Sequence, residues 1–141
     1  MDTLLPQQHD ECIFCKIISG LIPSHKIYED EHVYAFLDIA EDFDGHTLVI
    51  PKKHCTNILD CPSDELAQVS AAVQKIARHY TQNCGFEGVN ILSFAESCAG
   101  QTVFHLHFHI LPRKKNDGGF VFPKTKNCTH SLADMCKKLK L

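Results

Sequence analysis

Residues 101–113 read QTVFHLHFHILPR, and this stretch decides the fold class. Three histidines, His105, His107 and His109, alternate with apolar residues. On a β-strand successive side chains point to opposite faces, so the imidazoles share one face and the apolar residues share the other. A helix would scatter the imidazoles over a wide arc. The pattern therefore predicts a strand over Thr102–Leu111. The residues predicted to face the core are Phe104, Leu106, Phe108 and Ile110.

The spacing of the triplet limits its chemistry. Neighbouring histidines on a strand are about 7 Å apart and the outer pair about 13 Å, so two can reach one metal ion and three cannot readily do so. A lone histidine on a sheet is usually an ordinary surface residue, but three in phase, backed by a bulky apolar face, indicate a chemical role. Upstream, Gly100 lets the backbone approach an anion, with amides and the Thr102 hydroxyl as donors.

Composition excludes several classes of protein. The chain has 141 residues, which suits one domain, and its hydrophobic and charged contents, 44% and 22%, are those of a globular protein. A net charge of −3 argues against a nucleic-acid surface. No apolar run approaches the ~18 residues of a membrane span, and the first residues lack a signal-like pattern, so we expect a cytoplasmic protein. Residues 1–10 are predicted to be flexible and residues 11–141 to form a single domain.

The cysteines indicate metal binding more than disulfides. Without an export signal, the eight cysteines are expected to be reduced. Cys12 and Cys15 form a C-x₂-C pair, which commonly supplies half of a tetrahedral zinc site. A redox role would need a thioredoxin-like βαβ pattern, which the sequence lacks. The residues alone leave metal binding and chance spacing both open.

The remaining pattern predicts an α+β protein, in which one long helix packs on an antiparallel five-stranded sheet. Apolar residues from Leu66 to Tyr80 recur at three- and four-residue steps, which indicates a helix with Ser63 as its N-cap and Gly85 as its stop. A short helix is predicted at 14–20. The other strands are predicted at His25–Glu29 and His32–Asp38, paired as a hairpin, and at Thr47–Ile50 and Val89–Phe94.

The sequence resembles the histidine triad (HIT) family. The family motif is His-φ-His-φ-His-φ-φ, with φ apolar, and residues 105–111 match every position. The resemblance covers roughly residues 11–113, through CIFCKIISGLIP, YEDEHVYAFLDI, GHTLVIPKKH and AGQTVFHLHFHILPR. It is strongest to nucleoside-phosphoramidate hydrolases, in particular their zinc-containing bacterial members. The fold implied is the HIT fold, and the relatives are homodimers that use the long helix and a sheet edge.

The resemblance implies catalysis at the α-phosphorus of a nucleoside 5′-phosphoramidate or a related nucleotidyl substrate. His107 matches the nucleophile, which forms a nucleotidyl-histidine intermediate. His109 matches the residue that contacts the phosphate or protonates the leaving group, and His46 matches a supporting active-site histidine. A purine-type nucleotide is the implied ligand. The positions that match its binding site are Ile13, Phe14, Ile17, Phe36, Asp38, Ile39, Gly100, Gln101 and Thr102.

The resemblance also implies a structural zinc ion held by Cys12, Cys15, His54 and His105. A Cys₂His₂ site is closed and leaves no position for a catalytic water. One departure stands out: relatives commonly carry Asn where this chain has Phe94, and Glu96 adds a carboxylate nearby. Two alternatives follow. One is a hydrolase of dinucleoside polyphosphates, and the other is a zinc-stabilised nucleotide-binding module with little turnover.

Overall fold

The structure, a computed structural model, describes residues 11–119, 121, 123, 125 and 127–141. The segment predicted to be flexible, residues 1–10, lies outside the described residues. The strands are β1 Lys26–Glu29, β2 Val33–Leu37, β3 Thr47–Pro51, β4 Gly88–Leu92 and β5 Phe108–Arg113. The helices are α1 Ile13–Ile18, α2 Ser63–Asn83 and α3 Leu132–Leu139, with a 3₁₀ turn at Ser97–Ala99. The strands form one antiparallel sheet in the order β1-β2-β3-β5-β4, which confirms the predicted α+β class.

Both faces of the sheet are covered, because the side chains of its central strands alternate between two apolar clusters. Val33 and Ala35 of β2 pack with α2, whereas Tyr34 and Phe36 pack with α1 on the opposite face. The predicted hairpin is present: β1 pairs with β2, and the turn is fixed by Asp30, whose Oδ1 accepts from the backbone N–H groups of residues 32 and 33 at 2.8 Å. The sheet therefore carries one layer on each side.

Helix α2 buries the stripe that its sequence predicts. Its buried residues are Val69, Ala72, Val73, Ile76 and Tyr80. Burial of one such aliphatic side chain contributes about 1.5–3 kcal/mol. Gly85 follows the helix with φ +82°, a left-handed conformation that favours glycine, so the predicted stop is confirmed. The predicted N-cap is wrong: Pro62 occupies the cap position and Ser63 is the first helical residue, because the chain enters the helix through the fixed φ of proline.

The strand predicted over Thr102–Leu111 is also wrong in its bounds. β5 begins only at Phe108, so His105 and His107 precede the strand and His109 lies within it. The physical reason is that residues 105–107 direct their backbone groups elsewhere: the Leu106 N–H donates to the Cys55 carbonyl at 2.8 Å, outside any strand ladder. Of the predicted core face, Leu106 and Ile110 are buried and Phe108 is half-buried, but Phe104 is 44% exposed.

Helix α3 lies near the C-terminus and was not predicted from the sequence. Ser131 caps it by accepting from the Asp134 N–H at 3.1 Å, and none of its residues is buried. Short helices without a buried stripe give a weak sequence signal. Among the described residues, no helix combines the length and apolar character needed to cross a bilayer.

Candidate active site and metal-binding cluster

Two backbone carbonyls orient the first two histidines of the triplet. His105 Nε2 lies 2.9 Å from the Pro51 carbonyl oxygen, and His107 Nδ1 lies 2.7 Å from the His105 carbonyl oxygen. A carbonyl only accepts, so each of these ring nitrogens carries the proton. The opposite nitrogens, His105 Nδ1 and His107 Nε2, therefore have lone pairs. Both rings are buried, with exposures of 0% and 8%.

His105 directs its lone pair at a group of cysteines and histidines from distant parts of the chain. Cys12 and Cys15 stand at the start of α1, where the Cys12 Sγ accepts from the Cys15 N–H at 3.4 Å. His54 follows β3 and places its ring 4.8 Å from that of His105. The ligand atoms of these four residues all lie within 4.8 Å of one another.

The geometry of this cluster fits a tetrahedral metal ion. His105 Nδ1 lies 3.4 Å from Cys12 Sγ and 3.6 Å from Cys15 Sγ, and His54 Nδ1 lies 3.4 Å from Cys15 Sγ. Tetrahedral zinc with typical bond lengths would separate a sulfur and a nitrogen ligand by about 3.6 Å. The hydrogen bond from His105 to the Pro51 carbonyl is the outer contact that metal-bound histidines usually make. The cluster can therefore hold a metal ion.

His107 and His109 line a mainly apolar cavity of about 520 Å³ between α1 and the end of β2. Phe14 packs edge-on against His107, with ring centroids 5.2 Å apart. Of the predicted substrate-binding residues, the cavity lining contains Ile13, Phe14, Ile17, Phe36, Asp38, Ile39 and Thr102. The Asp38 carboxylate accepts from the Ala40 N–H at 2.8 Å, which fixes it at the cavity edge. The cavity wall thus combines an apolar slot with a single carboxylate.

A hydrogen-bonded chain connects His109 to an acidic residue outside the cavity. His46 Nε2 lies 2.9 Å from His109 Nδ1, and His46 Nδ1 lies 2.7 Å from Asp42 Oδ1. Asp38 Oδ2 lies 3.6 Å from the same His46 Nε2. The carboxylate of Asp42 accepts from His46, so a neutral His46 accepts from His109. This Asp42–His46–His109 chain can move a proton to or from the cavity.

Burial sets the protonation of the two cavity histidines. The pKa of His107 is lowered because burial disfavours its cation, an effect only partly offset by its hydrogen bond to the His105 carbonyl. Burial, and then the charges of His107 and His46, lower the pKa of His109 to about 4 against the opposing pull of Asp38 and Asp42. At Asp42 burial raises the pKa, but the hydrogen bond and charge of His46 outweigh it and the net pKa is lowered. Near neutral pH both cavity imidazoles are therefore neutral.

The structure does not bring Gly100 and Gln101 to the cavity. Their N–H groups donate to the carbonyls of Ser97 and Glu96 at 3.0 and 3.2 Å. The Gln101 side chain is buried: its Nε2 donates to the Thr56 and Val103 carbonyls. Gly100 has φ +96° and closes the 3₁₀ turn, which explains glycine at this position. Of the predicted phosphate-binding residues, only Thr102 lines the cavity.

Sequence reasoning missed Asp42. It also missed five apolar cavity residues, which are Ile22, Pro23, Leu37, Leu48 and Val103. Asp42 lies in an acidic loop four residues before His46, and no periodic pattern marks it. The apolar residues alternate with core residues and so give the signal of ordinary packing. A second cavity, of about 620 Å³, lies beyond Asp42 and contains none of the triplet.

The fold and this arrangement define an α+β protein with a histidine cluster facing a mainly apolar cavity, and comparisons with known proteins identify its family. The HIT domain model matches residues 19–116. A solved structure of a HIT-family protein from Bacillus subtilis superposes with a TM-score of 0.80 at 46% identity, over 92% of each chain. A zinc-bound histidine triad protein from Mycobacterium smegmatis gives a TM-score of 0.73 at 42% identity, over 76% of this chain and 78% of that one.

A relative with a named activity is also similar. The adenosine 5′-monophosphoramidase of Candida albicans is 38% identical over 138 residues, which cover 94% of this chain and 91% of that protein. The chain belongs to the HIT family. That family includes hydrolases, of which the Candida enzyme is an example.

The lowered pKa of His109 predicts how stability depends on pH. An unfolded histidine titrates at about pH 6.5, so between that value and about 4 the unfolded chain binds a proton that the folded chain excludes. Stability should therefore fall as the pH is lowered through this window. The variant His109→Asn removes the titrating ring and should lose less stability over the same interval, measured by urea unfolding at several pH values.

A matched control is His79→Asn, which removes an exposed histidine from α2 and should give a pH profile parallel to that of the wild type. Equal slopes for wild type and His109→Asn between pH 6.5 and 4 would contradict the assignment of a lowered pKa to His109.

Proposed function

We propose that the protein hydrolyses nucleoside 5′-phosphoramidates through a nucleotidyl intermediate on His107. The observation that carries the proposal is the hydrogen bond from His107 Nδ1 to the His105 carbonyl, 2.7 Å long. It holds the ring in the tautomer whose Nε2 has a lone pair, while burial keeps the ring neutral. A neutral imidazole that lines a nucleotide-sized cavity is a competent nucleophile near pH 7.

The cavity supports binding of the nucleoside. Its apolar residues, with Phe14 and Phe36 in edge-on contact at 5.5 Å, form a slot for the flat face of a purine base. Asp38 stands at the edge of that slot with its carboxylate fixed, and a carboxylate is suited to accept from the two ribose hydroxyls. The Thr102 hydroxyl is available at the phosphate end as a donor. These contacts would leave the α-phosphorus beside His107.

The proposed reaction has two steps. The His107 Nε2 lone pair attacks the α-phosphorus, the phosphorus–nitrogen bond breaks, and the amine nitrogen keeps the electron pair and takes a proton from His109. Water then attacks the phosphorus, the bond to His107 breaks with its pair returning to Nε2, and His109 takes one proton from the water. One water is consumed, and an amine and a nucleoside 5′-monophosphate are released.

The hydrogen-bonded chain behind His109 supports both proton transfers. When His46 takes up a second proton, on Nε2, it donates to His109 Nδ1, and the proton of a neutral His109 then lies on Nε2, where the leaving group can receive it. As His109 gives up that proton, the proton of His46 can move onto His109 Nδ1. Asp42 stabilises the charged form of His46 at 2.7 Å. His46 and Asp42 thus position and supply a proton without contacting the substrate.

We further propose that the Cys12, Cys15, His54 and His105 cluster holds a structural zinc ion. The sulfur–nitrogen distances of 3.4–3.6 Å fit tetrahedral zinc, and the donor set of two sulfurs and two nitrogens is one that zinc prefers. The relative from Mycobacterium smegmatis is described as zinc-bound. Bound zinc would supply structure only, by tying α1 to the segment that carries the nucleophile.

A second candidate function is nucleotide binding in the same cavity with little hydrolysis. Phe94 packs against His109 with ring centroids 5.6 Å apart. An apolar ring there can impede a polar leaving group, which would leave a zinc-stabilised nucleotide-binding module. Hydrolysis of dinucleoside polyphosphates is less favoured, because no Lys or Arg is among the described residues that line the cavity.

Turnover of adenosine 5′-phosphoramidate by the purified protein tests the function. The variant His107→Ala should lower kcat/KM by about a thousandfold or more, because it removes the nucleophile, while adenosine 5′-monophosphate still binds. His79→Ala, on the exposed face of α2, is the control and should match the wild type. If the wild type and His107→Ala are equally inert while both bind nucleotide, the binding module is the correct function.

Replacing His105 should have a different outcome from replacing His107, although the two are neighbours in the triplet. We expect His105→Ala to lose zinc, measured by elemental analysis, and to unfold at a lower temperature. His107→Ala should retain about one zinc per chain. Chelation of the wild type should likewise lower its thermal midpoint, because binding free energy of a structural metal is folding free energy. Equal midpoints with and without zinc would argue against a structural ion.

The sheet edge at β4 supports a homodimer. β4 is the last strand in the order β1-β2-β3-β5-β4, and its Ile91 is 46% exposed beside a groove shared with Val73 and Ala77 of α2. The other edge, β1, carries the charges of Lys26 and Glu29, which discourage pairing. We propose that a second copy of the chain covers the β4 edge.

Sedimentation equilibrium should give a mass twice the chain mass of 15.9 kDa for the wild type. The variant Ile91→Lys should have the mass of a single chain, because it places a charge in the interface. A wild type that is monomeric at micromolar concentration would contradict the proposal.

A further inference from the structure

Phe94 occupies a position between two parts of the site. Its ring centroid lies 5.6 Å from that of His109 at an interplanar angle of 65°. The ring also lies close to Gly100, where an added Cβ would meet Phe94 Cδ1 at 3.7 Å. The ring is 38% exposed, and it is not part of the wall of the nucleoside cavity. It therefore contacts His109 from outside that cavity.

The arrangement of nucleophile, phosphorus and leaving group in the proposed reaction indicates that the leaving group lies against the Phe94 ring. The inference rests on the proposed function, in which the nucleoside fills the apolar cavity and His107 attacks the α-phosphorus. A leaving group departs on the side opposite the nucleophile and receives its proton from His109. It must therefore lie near His109 but outside the nucleoside cavity. Among the described residues, Phe94 is the aromatic side chain that meets both conditions, since its ring packs against His109 and is partly exposed.

The charges around Phe94 limit the chemistry of the leaving group. Asp38 lies within 4.8 Å of the His46 and His109 ring nitrogens. Glu96 follows Phe94 by two residues and accepts from the Asn57 side chain at 3.1 Å. Among the described residues, no Lys or Arg lines the adjoining cavity. A chain of phosphates beside His109 would meet the Asp38 carboxylate and an apolar ring. An amine that carries an apolar or aromatic group would bury that group and bring no negative charge.

We propose that Phe94 is a specificity-determining residue that selects phosphoramidates of apolar and aromatic amines over phosphate leaving groups. The ring provides a face on which the amine substituent packs while the phosphorus–nitrogen bond breaks. The amine leaves with the electron pair of that bond and one proton from His109, as in the parent reaction. His109 has the same role with every amine, so Phe94 changes the choice of leaving group and not the chemical step.

The test uses two substrates that share one nucleoside: adenosine 5′-phosphoramidate and the adenosine 5′-phosphoramidate of an indolylethylamine. Phe94→Ala should lower kcat/KM about tenfold for the aromatic substrate, an effect of the size known for aromatic contacts, and less than about twofold for the unsubstituted one. Phe94→Leu should keep most of the aromatic preference because it restores apolar area. Zinc content and thermal midpoint are recorded for each variant to confirm that it folds.

Each outcome has a separate meaning. Equal loss on both substrates shows that Phe94 acts only through the position of His109 and overturns the inference, as does an unchanged ratio of the two kcat/KM values. A wild type that prefers diadenosine tetraphosphate to the aromatic phosphoramidate also overturns it. If the wild type hydrolyses neither phosphoramidate, the proposed function itself fails and the inference falls with it. A substrate ratio that changes in Phe94→Ala alone, with turnover of the unsubstituted substrate retained, supports the inference.

Discussion

The division of the histidine triplet depends on two carbonyl oxygens, those of Pro51 and His105. The first binds the Nε2 proton of His105 at 2.9 Å and the second binds the Nδ1 proton of His107 at 2.7 Å. Neighbouring rings are therefore held in opposite tautomers, and their lone pairs serve different sites. His105 directs Nδ1 at the sulfurs of the cluster, and His107 is left with an unprotonated Nε2 beside the cavity. Without these two hydrogen bonds, neither imidazole would be held in one tautomer.

The local hydrogen bonds of residues 105–107 explain why this segment is not part of a regular strand. In a regular strand the carbonyl of His105 would accept from a neighbouring strand, whereas in the structure it accepts from Nδ1 of His107 and fixes that ring. The Ser93 hydroxyl likewise donates to the His107 carbonyl at 2.9 Å, and Leu106 donates to Cys55. β5 begins where these local bonds end. Regular pairing is thus given up over a few residues so that two rings can be oriented.

The parts of the fold that depend on periodicity were predictable from sequence. α2 was correct because it buries one regular stripe, and the β1–β2 hairpin was correct because two runs rich in β-formers flank a marked turn. The strand through the triplet was wrong at its start because alternation of residue types does not reveal where backbone hydrogen bonds go. α3 was missed because none of its residues is buried. Asp42 was missed because a loop carboxylate has meaning only once His46 is seen 2.7 Å away.

The candidate site shows a similar limit. Spacing alone identified Cys12 and Cys15 as a possible half-site, but it could not supply His54, which the fold brings to the cluster from the end of β3. The family pattern supplied it. That pattern also put Gly100 and Gln101 at the phosphate, whereas the structure commits their amides to the 3₁₀ turn. The positions expected to act through side chains lie together at the cavity and the cluster, whereas the two expected to act through backbone amides do not, and the roles of all of them stay predictions.

In the proposed mechanism, His107 alone in the triplet bonds covalently to the substrate. Mass spectrometry of protein quenched in base during turnover of an adenosine phosphoramidate tests this most directly, since the modified residue can be located by fragmentation. The proposed mechanism predicts an adenosine monophosphate adduct on His107, absent from His107→Ala and present in His79→Ala. An adduct on His105 or His109, or steady turnover with no adduct at any histidine, would contradict it.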